Sequence, residues 1–187
     1  NCSRPADATK GGAVIKAICY DAFGGPEVLR YVDLPIPEPA ADEVLVRVGA
    51  AAVNPIDRRL RAGELQEYFT RAFPITPGWD FAGRIERTGS GVTGWKAGDD
   101  VLGLAFTWHL HGGTYAGYAC VKAESLAAKP SALSWHEAAA LPLVSLTAWQ
   151  ALHEYANVQP GQSVLIQAGA GGVGSVAIPM AKHLGAR

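Results

Sequence analysis

A β-rich domain leading into the first strand and helix of a parallel α/β domain is the architecture this sequence predicts, on three observations. From Ala13 to about Pro130, short apolar runs alternate with glycine and proline turns. Near Ser131 that punctuation gives way to helical patterning. Then Val164-Leu165-Ile166-Gln167 runs almost directly into Gly169-Ala170-Gly171-Gly172-Val173-Gly174, and a helical pattern from Ser175 to Leu184 follows.

Length and composition set the bounds. The 187 residues hold one large domain or one and a fraction, and 49% hydrophobic with 18% charged residues describes a globular core. A net charge of -1, with acids and bases interspersed, gives no nucleic-acid footprint. No apolar run reaches the length of a membrane span. Cys2, Cys19 and Cys120 are odd in number and far apart, which favours reduced thiols and a cytoplasmic protein. Asn1–Gly12 is polar and lacks the apolar core of a signal peptide, so residues 1–12 are expected to be a flexible tail.

Along residues 13–130 the expected strands are Ala13–Tyr20, Val28–Leu34, Glu43–Val48, Ala82–Arg87, Asp100–Leu104, Tyr115–Val121 and Ser125–Ala128. Val44, Val46 and Val48 share one strand face, while Leu45 beside Arg47 gives the other a mixed character, so burial on both sides is expected. Pro55–Ala62 predicts one or two helical turns ending at Gly63. In residues 131–187, Ser134 and Glu137 form a capping box, and the helix beyond is expected to break at Pro142 and resume at Ser145–Tyr155. Pro160-Gly161 turns the chain into the glycine-rich strand.

The Gly-x-Gly-x-x-Gly pattern gains weight from its strand–turn–helix context, which is that of a dinucleotide-binding fingerprint. Gly169 would allow the tight turn, Gly171 close approach of a pyrophosphate, and Gly174 helix–strand packing. Gly169, Ala170, Gly171, Gly172, Val173 and Gly174 are therefore the expected cofactor-binding residues, with helix N–H groups facing the phosphates. Only the first β–α step of a Rossmann domain precedes Arg187, so the chain is expected to be part of a longer enzyme and inactive alone.

Several motifs in order resemble the medium-chain dehydrogenase/reductase superfamily, in its zinc-free quinone oxidoreductase (zeta-crystallin-like) branch. They are Phe23-Gly24-Gly25-Pro26-Glu27-Val28-Leu29, Ala52-Val53-Asn54-Pro55-Ile56-Asp57, Pro77-Gly78-Trp79-Asp80-Phe81-Ala82-Gly83, Lys96-Ala97-Gly98-Asp99-Asp100-Val101, Gly113-Thr114-Tyr115-Ala116, Ala140-Leu141-Pro142, Leu146-Thr147-Ala148 and the fingerprint. The resemblance implies a GroES-like β domain followed by a Rossmann domain, with cofactor and substrate in the cleft between them. It implies hydride transfer from NADPH, with NADH as the alternative, to a small quinone or enone, and a homodimer for the whole protein. A non-catalytic, crystallin-like nucleotide-binding protein and an enoyl-thioester reductase are the alternative functions.

Zinc-dependent relatives carry a Cys and a His where this sequence has Asn54 and Trp79-Asp80, so no metal is expected. His109 and His111 read as an exposed loop rather than a ligand pair. Asn54 is the leading catalytic and cofactor-binding candidate, because its amide donates and accepts; a turn-forming Asn before Pro55 is the plainer reading. Asp57 reads as a local helix cap or salt-bridge partner rather than a proton donor. Tyr68 could deliver a proton from its phenol or simply face solvent. Trp79 is core or cofactor wall, and Thr147 is a nicotinamide neighbour or a hydroxyl bonded to its own helix. Arg59 stands where quinone reductases of this branch often place an aromatic.

Overall fold

The computed structural model describes residues 13–187; the expected tail and Cys2 lie outside them. The chain forms two compact units that divide between Ala139 and Ala140.

The first unit is built on a five-stranded antiparallel sheet. It contains β3 (Glu43–Ala51), β5 (Asp80–Thr88), β6 (Asp100–Leu104), β8 (Tyr118–Lys122) and β9 (Leu126–Ala128), in the order β8-β3-β5-β6-β9. Alternation drives it: Val44, Val46, Phe81, Ile85, Val101, Ala119 and Val121 point to one shared core and are almost wholly buried. Leu45 is buried too while Arg47 is exposed, as the mixed face predicted. Register shifts near Leu45 and Val48 bend β3 against β5.

β1 (Val14–Cys19) and β2 (Arg30–Pro35) form an antiparallel pair. β2 starts two residues later than the sequence suggests, because Pro26–Val28 forms a single 3₁₀ turn with Pro26 at its start. The pair is tied down by Ile18 N–H to the Tyr115 carbonyl (2.8 Å) and Tyr20 N–H to the Ile75 carbonyl (3.0 Å). α1 (Pro55–Arg61) lies where it was expected. Unexpected from sequence is the two-residue parallel ladder of β4 (Thr70–Arg71) with β7 (His109–Leu110). It joins segments nearly forty residues apart and carries no local signature. α2 (Trp135–Ala139) starts at the capping box: Glu137 N–H donates to Ser134 Oγ (3.2 Å) and Ser134 N–H to the Glu137 carboxylate (2.8 Å). Ala138 and Ala139 are small enough to press against Ala82 of the sheet.

The helix that starts at the capping box ends at Ala139, before Pro142 as expected, and in the second unit α3 (Pro142–Trp149) begins at Pro142 itself. Proline lacks an N–H that a first helical residue does not need, so it initiates the helix, which corrects the expected restart at Ser145. Gln150–Tyr155 continues as a π-helical segment. α4 (Gly172–His183) packs on α3 through Ala148, Leu152, Ala177 and Ala181.

Val164–Ile166 forms no strand and Gln167 already lies in a turn, contrary to the expected strand. A strand is defined by its neighbours, and few are at hand. Yet Arg187 N–H donates to the Gln162 carbonyl, and Val164 N–H to the Arg187 carbonyl, both at 2.9 Å. That pair of bonds is the repeat of a parallel ladder, reached by a single β–α crossover.

Candidate functional site

In the first unit a buried polar knot joins three loops. Asn54 is the N-cap of α1, in extended conformation, and Pro55 follows at the first helical position. Its backbone N–H donates to Asp57 Oδ2 at 2.7 Å. The same oxygen accepts from the Tyr115 hydroxyl at 2.9 Å, and the carboxylate also accepts from the Gly78 N–H. Burial pushes the Asp57 carboxyl above its usual range, against the opposing pull of these donors. Burial likewise raises the Tyr115 phenol, and the adjacent Asp57 charge adds to it.

Gly78 has a φ of +93°, and a Cβ there would land inside the Tyr115 ring. Only glycine lets this loop pass under that tyrosine. One residue on from Trp79, the fully buried Asp80 accepts from Asn54 Nδ2 at 2.8 Å, and its carbonyl accepts from Thr114 Oγ1 at 2.9 Å. Asp57 and Asp80 therefore hold the loop backbone and the Asn54 amide respectively.

The candidates fall out unevenly. Asn54 is brought into the knot, with its amide oriented by Asp80. Asp57 caps the helix as expected and also ties in Tyr115, which sequence reasoning missed along with Asp80 and Thr114. The motifs containing them were visible, but their pairing across 26 to 58 residues has no sequence signal. Tyr68 lies in a turn, 63% exposed and outside the knot. Trp79 is buried and packs edge-on against Phe106 at 5.0 Å between ring centres. His109 Nδ1 pairs with Thr70 Oγ1 (2.9 Å) and His111 Nδ1 with the Ala72 carbonyl (3.1 Å), so both imidazoles staple the loop over β4.

A cleft of about 470 Å³ borders Ile15, Thr76, Phe106 and His109, and it contains both described thiols. Cys19 Sγ sits 3.2 Å from Thr76 Oγ1, while burial pushes the Cys120 thiol up to about 12, leaving it protonated and unreactive.

In the second unit, Thr147 Oγ1 donates back to the Leu143 carbonyl at 2.7 Å, the plainer of its two readings. The glycine loop behaves differently from expectation at one point. The left-handed residue of the turn is Ala168, with a φ of +53°, and not Gly169. Its carbonyl accepts from the Gly171 N–H at 2.8 Å. A Cβ on Gly174 would press into that same carbonyl and the Gly169 Cα, so Gly174 sets how closely α4 approaches the loop. No side chain caps α4, whose N-cap is Gly171. The N–H groups of its first turn are open to an anion.

Residues 40–131 match the alcohol dehydrogenase GroES-like domain. That match, with quinone oxidoreductases among the relatives, agrees with the family resemblance read from the sequence. A chloroplastic quinone-oxidoreductase homolog from Spinacia oleracea is 39% identical over 175 residues, covering 90% of this chain and 53% of that protein. The chloroplastic NADPH-dependent alkenal/one oxidoreductase of Arabidopsis thaliana is 38% identical, covering 91% and 45%. The Escherichia coli quinone oxidoreductase solved with NADPH superposes with a TM-score of 0.80 at 35% identity, over 92% of this chain and 51% of that one. The chain spans about half the length of the relatives it matches. The GroES-like assignment agrees with the β-rich first unit, and the glycine-headed helix of the second unit is compatible with the start of a Rossmann domain. Among the described residues no helix is long and apolar enough to cross a membrane.

Proposed function

We propose that the whole protein is an NADPH-dependent, zinc-independent oxidoreductase that passes hydride to a quinone, enone or similar small electrophile. The observation that carries the reading is the loop from Ala168 to Gly174 at the head of α4. Its backbone donors, the bare Cα of Gly171 and the absence of a capping side chain fit a dinucleotide pyrophosphate. A nicotinamide bound there would supply the hydride, and the acceptor needs one proton as well. NADPH is favoured by the named cofactor of the Arabidopsis and Escherichia coli proteins.

Asn54 is the residue we assign to the reacting groups, as a donor whose amide Asp80 holds in place; Thr147 and Trp79 are assigned to the cofactor's surroundings. Tyr68 is the assigned proton source on the family resemblance, with its phenol exposed. Independence from zinc rests on donor chemistry: an indole cannot ligate, and the Asn54 amide is already engaged with Asp80. The cytoplasmic assignment rests on the dispersed thiols alone, while relatives include chloroplastic proteins. A homodimer is proposed on family resemblance. Oxidation of NADPH by the full-length protein, with an ortho-quinone and with an enone, tests the reading. Turnover that survives a chelator is expected; loss on chelation overturns the zinc-free assignment.

One observation favours a non-catalytic nucleotide-binding role: the Asn54 amide and Thr147 hydroxyl both bond within the chain. Tight NADPH binding without turnover of any acceptor would decide for it.

A further inference from the structure

An exposed aromatic stack stands on the Trp79 loop and has no part in the knot beside it. Trp79 is buried and Phe69 nearly so, but Phe106 is 40% and Trp108 65% exposed. Phe69 lies nearly parallel to Trp108 at 5.4 Å between ring centres, and Phe106 meets Trp108 edge-on at 4.9 Å. One face of the indole is therefore covered, and the high exposure leaves ring surface open.

The stack is held rigid by its backbone. Thr70 N–H and Oγ1 both donate to the Trp108 carbonyl (3.1 and 3.2 Å), and Ala72 N–H donates to the Leu110 carbonyl (3.0 Å). Thr107 Oγ1 accepts from the His109 N–H at 3.1 Å. A large apolar ring kept exposed and pre-ordered loses little entropy when a ligand covers it. Its base, Trp79, touches Phe69 and Phe106 and directly precedes Asp80, the residue that holds the Asn54 amide, so the stack stands one residue along the chain from the tie to the assigned reaction centre.

We propose that Trp108, supported by Phe69 and Phe106, is the specificity-determining platform of the acceptor site, and that it selects planar, ring-fused quinones over open-chain enones. The proposal rests on the oxidoreductase reading above. The chemistry is complementary: an indole face carries negative charge density, and a quinone ring is electron-poor, so the two attract face to face. An alkenal or simple enone offers no ring to stack.

The test uses the full-length protein, with 9,10-phenanthrenequinone and but-3-en-2-one as acceptors. In Trp108→Ala the ratio of kcat/KM for the quinone over that for the enone falls at least tenfold, mostly through KM. Trp108→Phe restores most of the ratio, since it returns a ring of the same kind. Phe106→Ala gives a smaller fall in the same direction. Thermal melting of the Trp108 variants stays near wild type, because that ring is largely exposed. Equal losses for both acceptors, or an unchanged ratio, overturn the platform. Absence of turnover with either acceptor in the wild type instead overturns the oxidoreductase reading; phenanthrenequinone affinity read by calorimetry then tests the platform separately, with binding at least tenfold weaker in Trp108→Ala and largely restored in Trp108→Phe expected, and equal affinity in all three overturning it.

Discussion

Replacing Tyr115 with Phe removes one oxygen from the knot and leaves its ring packing intact. The hydroxyl donates to Asp57 Oδ2 at 2.9 Å and approaches the Ala52 carbonyl at 3.3 Å. A hydrogen bond to a charged group contributes about 1.5–3 kcal/mol, and a neutral one about 0.5–1.5 kcal/mol. Asp57 keeps two donors, from Asn54 and Gly78, so its charge is not stranded. The expected loss at neutral pH is therefore about 2 kcal/mol, or a melting shift of roughly 4–8 °C for a chain of this size.

The pH dependence has a defined sign. The folded-state pKa of Asp57 lies above its ordinary value of 3.8, so its contribution to stability is full below that value and is lost as pH rises through the raised one. Tyr115 is one of the groups lowering that pKa, so its removal raises it further. Where Asp57 is protonated, the variant forfeits only a neutral bond. The difference between wild type and Tyr115→Phe should thus shrink as pH falls from 7 toward 4. Urea denaturation across that range measures it, with an unchanged m-value as the control. A loss under about 0.5 kcal/mol, or one that grows toward acid, refutes the charge-assisted bond as the tie between these loops.

Other outcomes follow from the same structure. Asn54→Asp sets a second carboxylate against buried Asp80 and should destabilise by about 2–4 kcal/mol at pH 7, with recovery toward acid; a flat pH profile would contradict it. Ala168→Gly relieves a left-handed alanine and should raise stability by about 1 kcal/mol, read from the melting curve; a lower melting point would show the φ of +53° to be unstrained. Gly174→Ala pushes a methyl into the Ala168 carbonyl, costs about 1–3 kcal/mol, and should weaken NADPH binding by the full-length protein at least tenfold in calorimetry; unchanged affinity would mean the loop does not hold the pyrophosphate.

Much of the fold was legible because it depends on short-range rules. The alternation in Val44–Val48, the Asn-Pro step opening α1, the Ser134–Glu137 box and the glycine spacing each act within one strand, turn or helix. Family order then linked them. The restart of the helix was placed too late because a proline breaks a helix or begins one according to where the preceding turn ends.

What sequence alone determined is therefore the β-rich first unit, the helix headed by the glycines of Gly169–Gly174, and the residue types available at each loop. Tertiary structure alone decided which of those residues meet. It sent the Asn54 amide to Asp80, made Asp57 the junction of three loops, and placed Phe69 against Trp108 through a ladder joining distant segments. It also moved the strained position of the glycine loop to Ala168. The physical reason is range. Backbone propensity and capping are settled within a few residues, whereas a buried carboxylate takes whichever donors the folded chain brings within 3 Å, and no periodicity records that choice.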